Sequence, residues 1–234
     1  MNHQLSSIKQ KLTSIQLADS FFPSGSYTFS HGLESLIQQK KIRHAQDIIS
    51  FIRLLLHYKI APCDLVALIQ TYHGCTAKDL SSIKQIDALL YAQTLIETTR
   101  KTQRQSGRAL LMVAQSTWRD PLLDILERSH ASNQFYCLHP VVFGVVGSIA
   151  GLSVTDTALA FLHGLVTGIL GAAIRLGKLG HLQAQQLLLE LASDIETAYE
   201  TASSMELDQM WSGTPTIDLA QMGHHQLASK LFAN

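Results

Sequence analysis

The sequence predicts an all-α fold, a single-domain helical bundle with a glycine-rich central helix pair. Apolar residues recur at spacings of three and four along most of the chain, as on the buried face of an amphipathic helix. No alternating run of β-branched residues is bounded by hairpin turns, so strands are not expected. The length of 234 residues suits one large domain, and we find no internal repeat or long linker.

Periodicity and boundary residues predict the first helices. An N-terminal amphipathic helix runs into Asp19, and a second helix begins at Leu33. The stretch "DIISFIRLLLHYKI" predicts a third helix that ends at Ala61, because a proline disfavours helical geometry in the residue before it. Pro62 then suits the first position of a fourth helix, which Gly74 can end.

The helical pattern continues to the C-terminal third of the chain. "DLSSIKQIDALLYAQTLIETTRKTQRQSGRALLMVAQ" is helical through most of its length, with a possible break at Gly107. Asp120-Pro121 and His139-Pro140 are typical of helix starts. Thr155 and Asp156 predict the cap of the next helix, and "LQAQQLLLELASDIETAYETA" is the last long one.

The segment between Asp156 and Arg175 has no charged residue and approaches the ~18 residues typical of a transmembrane helix. Small residues three or four apart let helices approach closely, in lipid or in a protein core. The aromatic and Lys/Arg anchors of a bilayer interface are missing here, which favours a buried helix pair and no membrane. The glycines of the pair are Gly144, Gly147, Gly151, Gly164, Gly168 and Gly171.

Composition favours a protein that works by contact with other proteins. Hydrophobic residues make up 46% and charged residues 15%, against about 25% charged in a typical soluble domain. Lys plus Arg and Asp plus Glu both number 18, so no net field attracts nucleic acid. Three scattered cysteines and the lack of a signal sequence at the N-terminus are typical of a cytoplasmic protein.

No motif predicts a cofactor, a metal site or a catalytic centre. "GAAIRLGKLG" has the wrong glycine spacing for a phosphate-binding loop, and the histidines lack zinc-site spacing. In "DSFFPSGSYTFSHGLE", Ser26 and His31 leave a small serine hydrolase open as an alternative function. Against it, Gly25-Ser26-Tyr27 does not complete a nucleophile elbow and no strand precedes it.

The C-terminal segment, residues 206–234, is too apolar for a tail that only meets solvent. "DQMWSGTPTIDLAQMGHHQLASKLFAN" follows the last long helix and is separated from it by glycine and proline. Such a tail either docks on its own domain or stays mobile until a partner binds it, and the sequence favours neither.

Several motifs together resemble the UreF family of urease accessory proteins. "FPSGSYTFSHGLE" is similar to the family's opening signature, and "HPVVFG" to its entry to the central helix. "ETTRKTQRQSGRALL" and "AAIRLGKLGHLQAQ" resemble its internal motifs, and "IDLAQMGHHQLASKLF" its closing segment. Lys230 and Gly223 stand where the family usually has arginine, and lysine does not replace arginine at a bidentate contact.

The resemblance implies an all-α, non-enzymatic maturation factor that tends to form a homodimer. It implies binding to the accessory protein UreD, also called UreH, and recruitment of the GTPase UreG. The assembly would deliver nickel to apo-urease in a GTP-dependent step, with the UreF-like chain modulating the GTPase.

Within that framework, the opening loop and the C-terminus are the expected partner-binding surfaces. Tyr27 and Phe29 would present aromatic rings of the kind enriched at interfaces, although Phe29 could instead fill the core. Arg175 would either cap helix carbonyls or bind the GTPase. The predicted partner-binding residues are Pro23, Gly25, Ser26, Tyr27, Phe29, His31, Glu34, Arg175, His224, Leu231 and Phe232.

Overall fold

Helices make up most of the protein, and no strand occurs in the part of the chain that the computed structural model describes, residues 2–19, 22–23, 29–227 and 230–232. The prediction of an all-α fold is therefore confirmed. The α-helices are α1 (Asn2–Ala18), α2 (Leu33–Gln38), α3 (Ala45–Leu55), α4 (Val66–Thr76), α5 (Leu80–Gln93), α6 (Glu97–Trp118), α7 (Pro121–Ala131), α8 (His139–Ile149), α9 (Val154–Arg175), α10 (His181–Glu190), α11 (Ala192–Ser203) and α12 (Pro215–Met222). A π-helical segment, Leu56–Leu65, joins α3 to α4.

Helices α4 and α8 pack against each other at the centre of the molecule. Helix α8 also packs on α6 and α9, and its valines are fully buried. A Cβ on Gly144 would press on the Leu68 carbonyl of α4, and one on Gly147 would overlap Thr157 of α9. The glycines of α8 therefore permit its close packing, whereas a Cβ on Gly168 of α9 would meet no atom within 4 Å.

The prediction that a helix ends at Ala61 and a new one begins at Pro62 is wrong. The chain stays helical through Pro62 by widening into the π segment, which continues directly into α4. In an α-helix, proline lacks the N–H for the carbonyl four residues earlier and its ring presses on that carbonyl. A π-helix bonds to the fifth residue back instead, so the wider turn relieves this conflict.

Backbone groups from the C-terminal segment complete the hydrogen bonding around Pro62. The Tyr58 carbonyl, four residues before Pro62, accepts the Gly213 N–H at 2.8 Å. The Pro62 carbonyl accepts the Trp211 N–H at 3.1 Å, and the Trp211 ring lies edge-on to the Tyr58 ring. We call the continuous helix of α3, the π segment and α4 the α3–α4 rod. These bonds fix the chain after α11 to the middle of the rod.

The prediction of a break at Gly107 is also wrong. The break lies earlier, between α5 and α6, and Gly107 is in the interior of α6. A Cβ at Gly107 would overlap the carbonyl of Cys137, in the loop before α8. The glycine therefore allows a close crossing of loop and helix. Buried Asp87 fixes that loop by accepting the N–H groups of Tyr136, Cys137 and Leu138.

Other helix boundaries follow the sequence with two corrections. Asp120 caps α7 through the Leu122 N–H at 2.9 Å, as predicted, and α8 begins at His139. The cap of α9 is Ser153, whose hydroxyl accepts the Asp156 N–H at 3.0 Å, and not Thr155 or Asp156. The last long helix is divided at Leu191 into α10 and α11.

Helix α9 is long and apolar enough to cross a membrane by length and composition alone. In the fold, 56% of its most apolar window is buried, and it packs against α1, α8, α10 and α11. This is the environment of a core helix in a helical domain.

Gly107→Ala tests the crossing of α6 with the loop before α8. We expect a loss of about 1–3 kcal/mol in the free energy of unfolding, because the added methyl must displace backbone. Gly168→Ala is the matched helical control and should gain about 0.5–1 kcal/mol, since its methyl meets open space. Urea denaturation measures both, and equal effects would contradict the close crossing.

Candidate functional site

The chain enters α2 through two residues with positive φ. His31 has φ 52° and Gly32 has φ 90°, and the Leu33 N–H bonds the Ser30 carbonyl at 2.9 Å. This tight turn brings Gly32 against α12, where a Cβ would approach the Ile217 carbonyl and the Gln221 side chain at 3.3 Å. The end of the opening loop and the C-terminal segment therefore lie on each other.

Glu34 joins these two parts of the chain. It is almost fully buried, its Oε2 lies 2.9 Å from Nε2 of buried His224, and its Oε1 accepts the Leu231 N–H at 2.7 Å. A carboxylate at Oε2 requires the proton on Nε2 of His224. We call Glu34, His224 and Leu231 the Glu34 cluster. It connects positions that are 190 and 197 residues apart in sequence.

Arg175 contacts the same C-terminal segment. Its guanidinium lies 4.5 Å from the centroid of the Phe232 ring, which is buried, and its Nε donates to the Gly171 carbonyl at 3.3 Å. Arg175 thus bonds a carbonyl one turn back in α9 and packs on Phe232 through a cation–π contact. Capping of the free carbonyls at the end of α9 stays a prediction. A role in GTPase binding stays a prediction.

Three apolar side chains remain exposed near the Glu34 cluster. Leu231 is 69% exposed, and Leu219 and Met222 of α12 are 67% and 51% exposed. Leu219 and Met222 are three residues apart on one helix and therefore share a face. The C-terminal segment docks on the domain with Ile217, His224 and Phe232 while it presents these apolar side chains outward.

The other predicted residues of the opening loop lie in different settings. Pro23 is exposed, whereas Phe29 is buried and lines a cavity, open to the surface on one side, together with His31. Gly25, Ser26 and Tyr27 lie outside the described residues. The loop therefore contributes at least one ring to the interior, and partner binding by its other residues stays a prediction.

The cavity has a volume of about 680 Å³ and lies between α1, the π segment, α6, α8 and α9. Its wall combines four phenylalanine rings with a small set of polar side chains. The rings are Phe22, Phe29, Phe143 and Phe161, and the polar groups include His31, Lys59, Asp64, Thr98, Gln103 and His139. The π segment places Lys59 and Asp64 on this wall.

Burial shifts the pKa values of three side chains on the polar wall. Burial lowers the pKa of His31 to about 4, with the charge of Lys59 adding to the effect, and burial alone lowers the pKa of His139 to about 4. Burial raises the pKa of Asp64, against Lys59 and a hydrogen bond from Gln103 at 2.8 Å, which both lower it. Both imidazoles are thus neutral at pH 7.

Sequence reasoning missed Lys59, Asp64 and Gln103 as members of a polar site, and it placed His139 at a helix start without assigning it to a site. A signal was present: Asp64 is an isolated acid in the apolar stretch "IAPCDLVALI". Buried carboxylates require a partner, so a charge in such a stretch indicates a polar contact from elsewhere in the fold.

The geometry of the described residues gives no support to a metal centre. No group of three or more His, Cys, Asp or Glu side chains within residues 2–19, 22–23, 29–227 and 230–232 could hold a metal ion. Ser26, the nucleophile of the hydrolase alternative, lies outside those residues.

Comparison with known proteins decides the family. The family model of UreF matches residues 42–192. Urease accessory protein UreF of Trichodesmium erythraeum is 56% identical over 229 residues, which cover 98% of this chain and 99% of that protein. The chain belongs to the UreF family. It is thus a urease accessory protein, as the sequence motifs predicted.

More distant members of the UreF family also match nearly end to end. UreF 1 of Brucella melitensis is 29% identical over 94% of this chain and 91% of its own length. UreF of Granulibacter bethesdensis is 27% identical over 90% of this chain and 88% of its own. These alignments extend far beyond residues 42–192.

Glu34→Ala tests the Glu34 cluster. The substitution leaves His224 and the Leu231 N–H without their acceptor, which costs about 1–3 kcal/mol per buried group. We expect faster amide hydrogen exchange in α12, with exchange in α4 unchanged. Glu196→Ala, at an exposed position of α11, is the control. Unchanged exchange in α12 would mean that the cluster does not hold the C-terminal segment.

His139→Phe tests the enclosed imidazole through pH. A folded-state pKa near 4, below the unfolded value of about 6.5, means that the unfolded chain takes up the proton first as pH falls. His139 therefore contributes stability that is present above pH 6.5 and lost toward pH 4. Urea denaturation at pH 7.5 and 4.5 measures the free energy of unfolding. The value of the variant relative to wild type should be higher at pH 4.5 than at pH 7.5.

The comparison with wild type is needed because buried Asp87, with its pKa raised by burial to about 6, contributes a slope of opposite sign. If the difference in free energy of unfolding between variant and wild type does not change with pH, a buried, neutral His139 is contradicted.

Proposed function

We propose that this chain is a non-enzymatic scaffold for urease maturation. It joins the accessory protein UreD/UreH, recruits the GTPase UreG and modulates it during GTP-dependent nickel insertion into apo-urease. It works in the cytoplasm as a homodimer, without nucleic acid or membrane. Nickel is cargo of the assembly, and the chain itself uses no cofactor.

The observation that carries the proposal is the Glu34 cluster in a chain of the UreF family. It fastens the C-terminal segment to the end of the opening loop, the two parts with the most specific family motifs. It leaves Leu219, Met222 and Leu231 exposed at this end of the molecule. Exposed apolar side chains on a fixed backbone are suited to protein binding, because little conformational entropy is lost when a partner binds.

A second apolar face supports self-association. Helix α1 exposes Ile8, Leu12 and Ile15, which are 54%, 62% and 64% exposed and recur at helical spacing. Light scattering of the purified chain measures the mass, and a monomer at all accessible concentrations would contradict the homodimer. Cell fractionation without detergent checks the cytoplasmic location, and recovery with the membranes would contradict it.

Reconstitution tests the function directly. Apo-urease, nickel, bicarbonate, GTP, UreD/UreH and UreG are combined with and without this chain. We expect urease activity to depend on the chain, and no turnover or labelling of the chain alone by a serine-reactive probe. Activation that is independent of the chain would overturn the scaffold, and labelling at Ser26 would favour the hydrolase.

Leu219→Asp tests the exposed face of α12. A charge on an apolar contact must be desolvated in the complex, so we expect capture of UreG by the UreD/UreH-bound chain to fall at least several-fold. The control is Leu182→Asp on α10, where the leucine is 85% exposed and distant in sequence. Equal capture by both variants would show that the face of α12 does not recruit the GTPase.

A further inference from the structure

The cavity beside the π segment has the size and the wall of a small-molecule site. Its volume of about 680 Å³ lies within the roughly 300–1,000 Å³ typical of such sites, which combine apolar walls with a few polar groups. The rings of Phe143 and Phe161 pack edge-on with their centroids 5.5 Å apart, and both rings also contact the His139 ring. This part of the wall suits an aromatic or aliphatic body.

The ammonium of Lys59 has unused hydrogen-bonding capacity at the wall. Its charge acts on Asp64 and lowers the pKa of that carboxyl, but no ion pair joins the two, and Asp64 is bonded to Gln103 at 2.8 Å. Lys59 lines the cavity, but no hydrogen bond or ion pair joins its ammonium to any described residue. A cation in an apolar wall favours an anionic partner, because charge in such surroundings is costly unless it is paired.

Further polar atoms at the wall are also without partners. Within the described chain, Oγ1 of Thr98, Oε1 of Gln103 and Nε2 of His139 are buried and make no hydrogen bond. Buried polar atoms of folded proteins are nearly always bonded, so unbonded ones beside a cavity indicate a missing ligand or solvent. A metal ion does not account for them, since no group of metal-binding side chains is present among the described residues.

We propose that this cavity binds a small organic carboxylate, with its aromatic or aliphatic body among the phenylalanine rings and its carboxylate paired with Lys59. The cavity borders the region of the Glu34 cluster, since His31 and Gln221 also line it, but Glu34, His224 and Leu231 are not part of its wall. The inference goes beyond the scaffold function and is tested on the chain alone, so that neither result depends on the other.

The test uses 4-phenylbutyrate as the probe and its neutral analogue 4-phenylbutyramide as the matched ligand. Isothermal titration calorimetry and thermal melting of the full chain measure binding. We expect the carboxylate to bind and to raise the melting temperature with concentration, and the amide to bind about tenfold more weakly or not at all. Absence of binding by the carboxylate, or equal binding of both ligands, would overturn the proposal.

Two substitutions locate the site. Lys59→Met keeps the length of the side chain but removes the charge, and should weaken the carboxylate about tenfold without affecting the amide. Lys101→Met, at an exposed position of α6, is the control and should bind like wild type. Equal binding by both variants would overturn the role of Lys59.

Gly168→Leu provides a second variant that does not touch the π segment. Gly168 lines the cavity, and a Cβ built on it would have no neighbouring atom within 4 Å. A leucine there should therefore occupy the ligand's space while α9 stays helical. We expect loss of carboxylate binding with an unchanged or raised melting temperature. Retained binding would place the ligand elsewhere and overturn the assignment of this cavity.

Discussion

The passage of a helix through Pro62 is the constraint on which much of this structure depends. A proline inside a helix leaves the carbonyl four residues earlier without its N–H. Here that carbonyl belongs to Tyr58, and it accepts the Gly213 N–H at 2.8 Å while the π segment departs from the α-helical register. The rod from α3 to α4 stays continuous, and the C-terminal segment is fixed at its middle. The bond at Gly213 thus solves a local backbone problem and sets a tertiary contact.

Two consequences follow from this arrangement. The wider π turn places Lys59 and Asp64 on the wall of the cavity, and π-helical turns are frequently found at functional sites. The segment after Gly213 continues into α12, which lies against Gly32 and is bonded through Gln221 to Thr99 of α6 at 2.7 Å. The C-terminus thereby reaches the end of the opening loop, where Glu34 bonds His224 and the Leu231 N–H.

The docking of the C-terminal segment is sensitive to the loss of any one member of the Glu34 cluster. A buried carboxylate is costly unless its oxygens are bonded, and here one oxygen meets His224 and the other meets the Leu231 N–H. Removing either donor leaves part of a buried charge unpaired. The segment is therefore held as a unit, which suits a surface that must present fixed apolar side chains to other proteins.

The sequence by itself determined the helical class, the starts at Pro121 and His139 and the UreF resemblance. Each of these rests on local patterns or motifs. Only the tertiary structure decided that Glu34 and His224 bond each other, and that the chain stays helical through Pro62 and Gly107. The physical reason is that Gly213, Cys137 and Leu231 supply the deciding contacts, and all lie far away in sequence. Local propensity does not include such partners. The Gly213 N–H bonds the helix beside Pro62, and the close Cys137 carbonyl accounts for a glycine in the interior of α6.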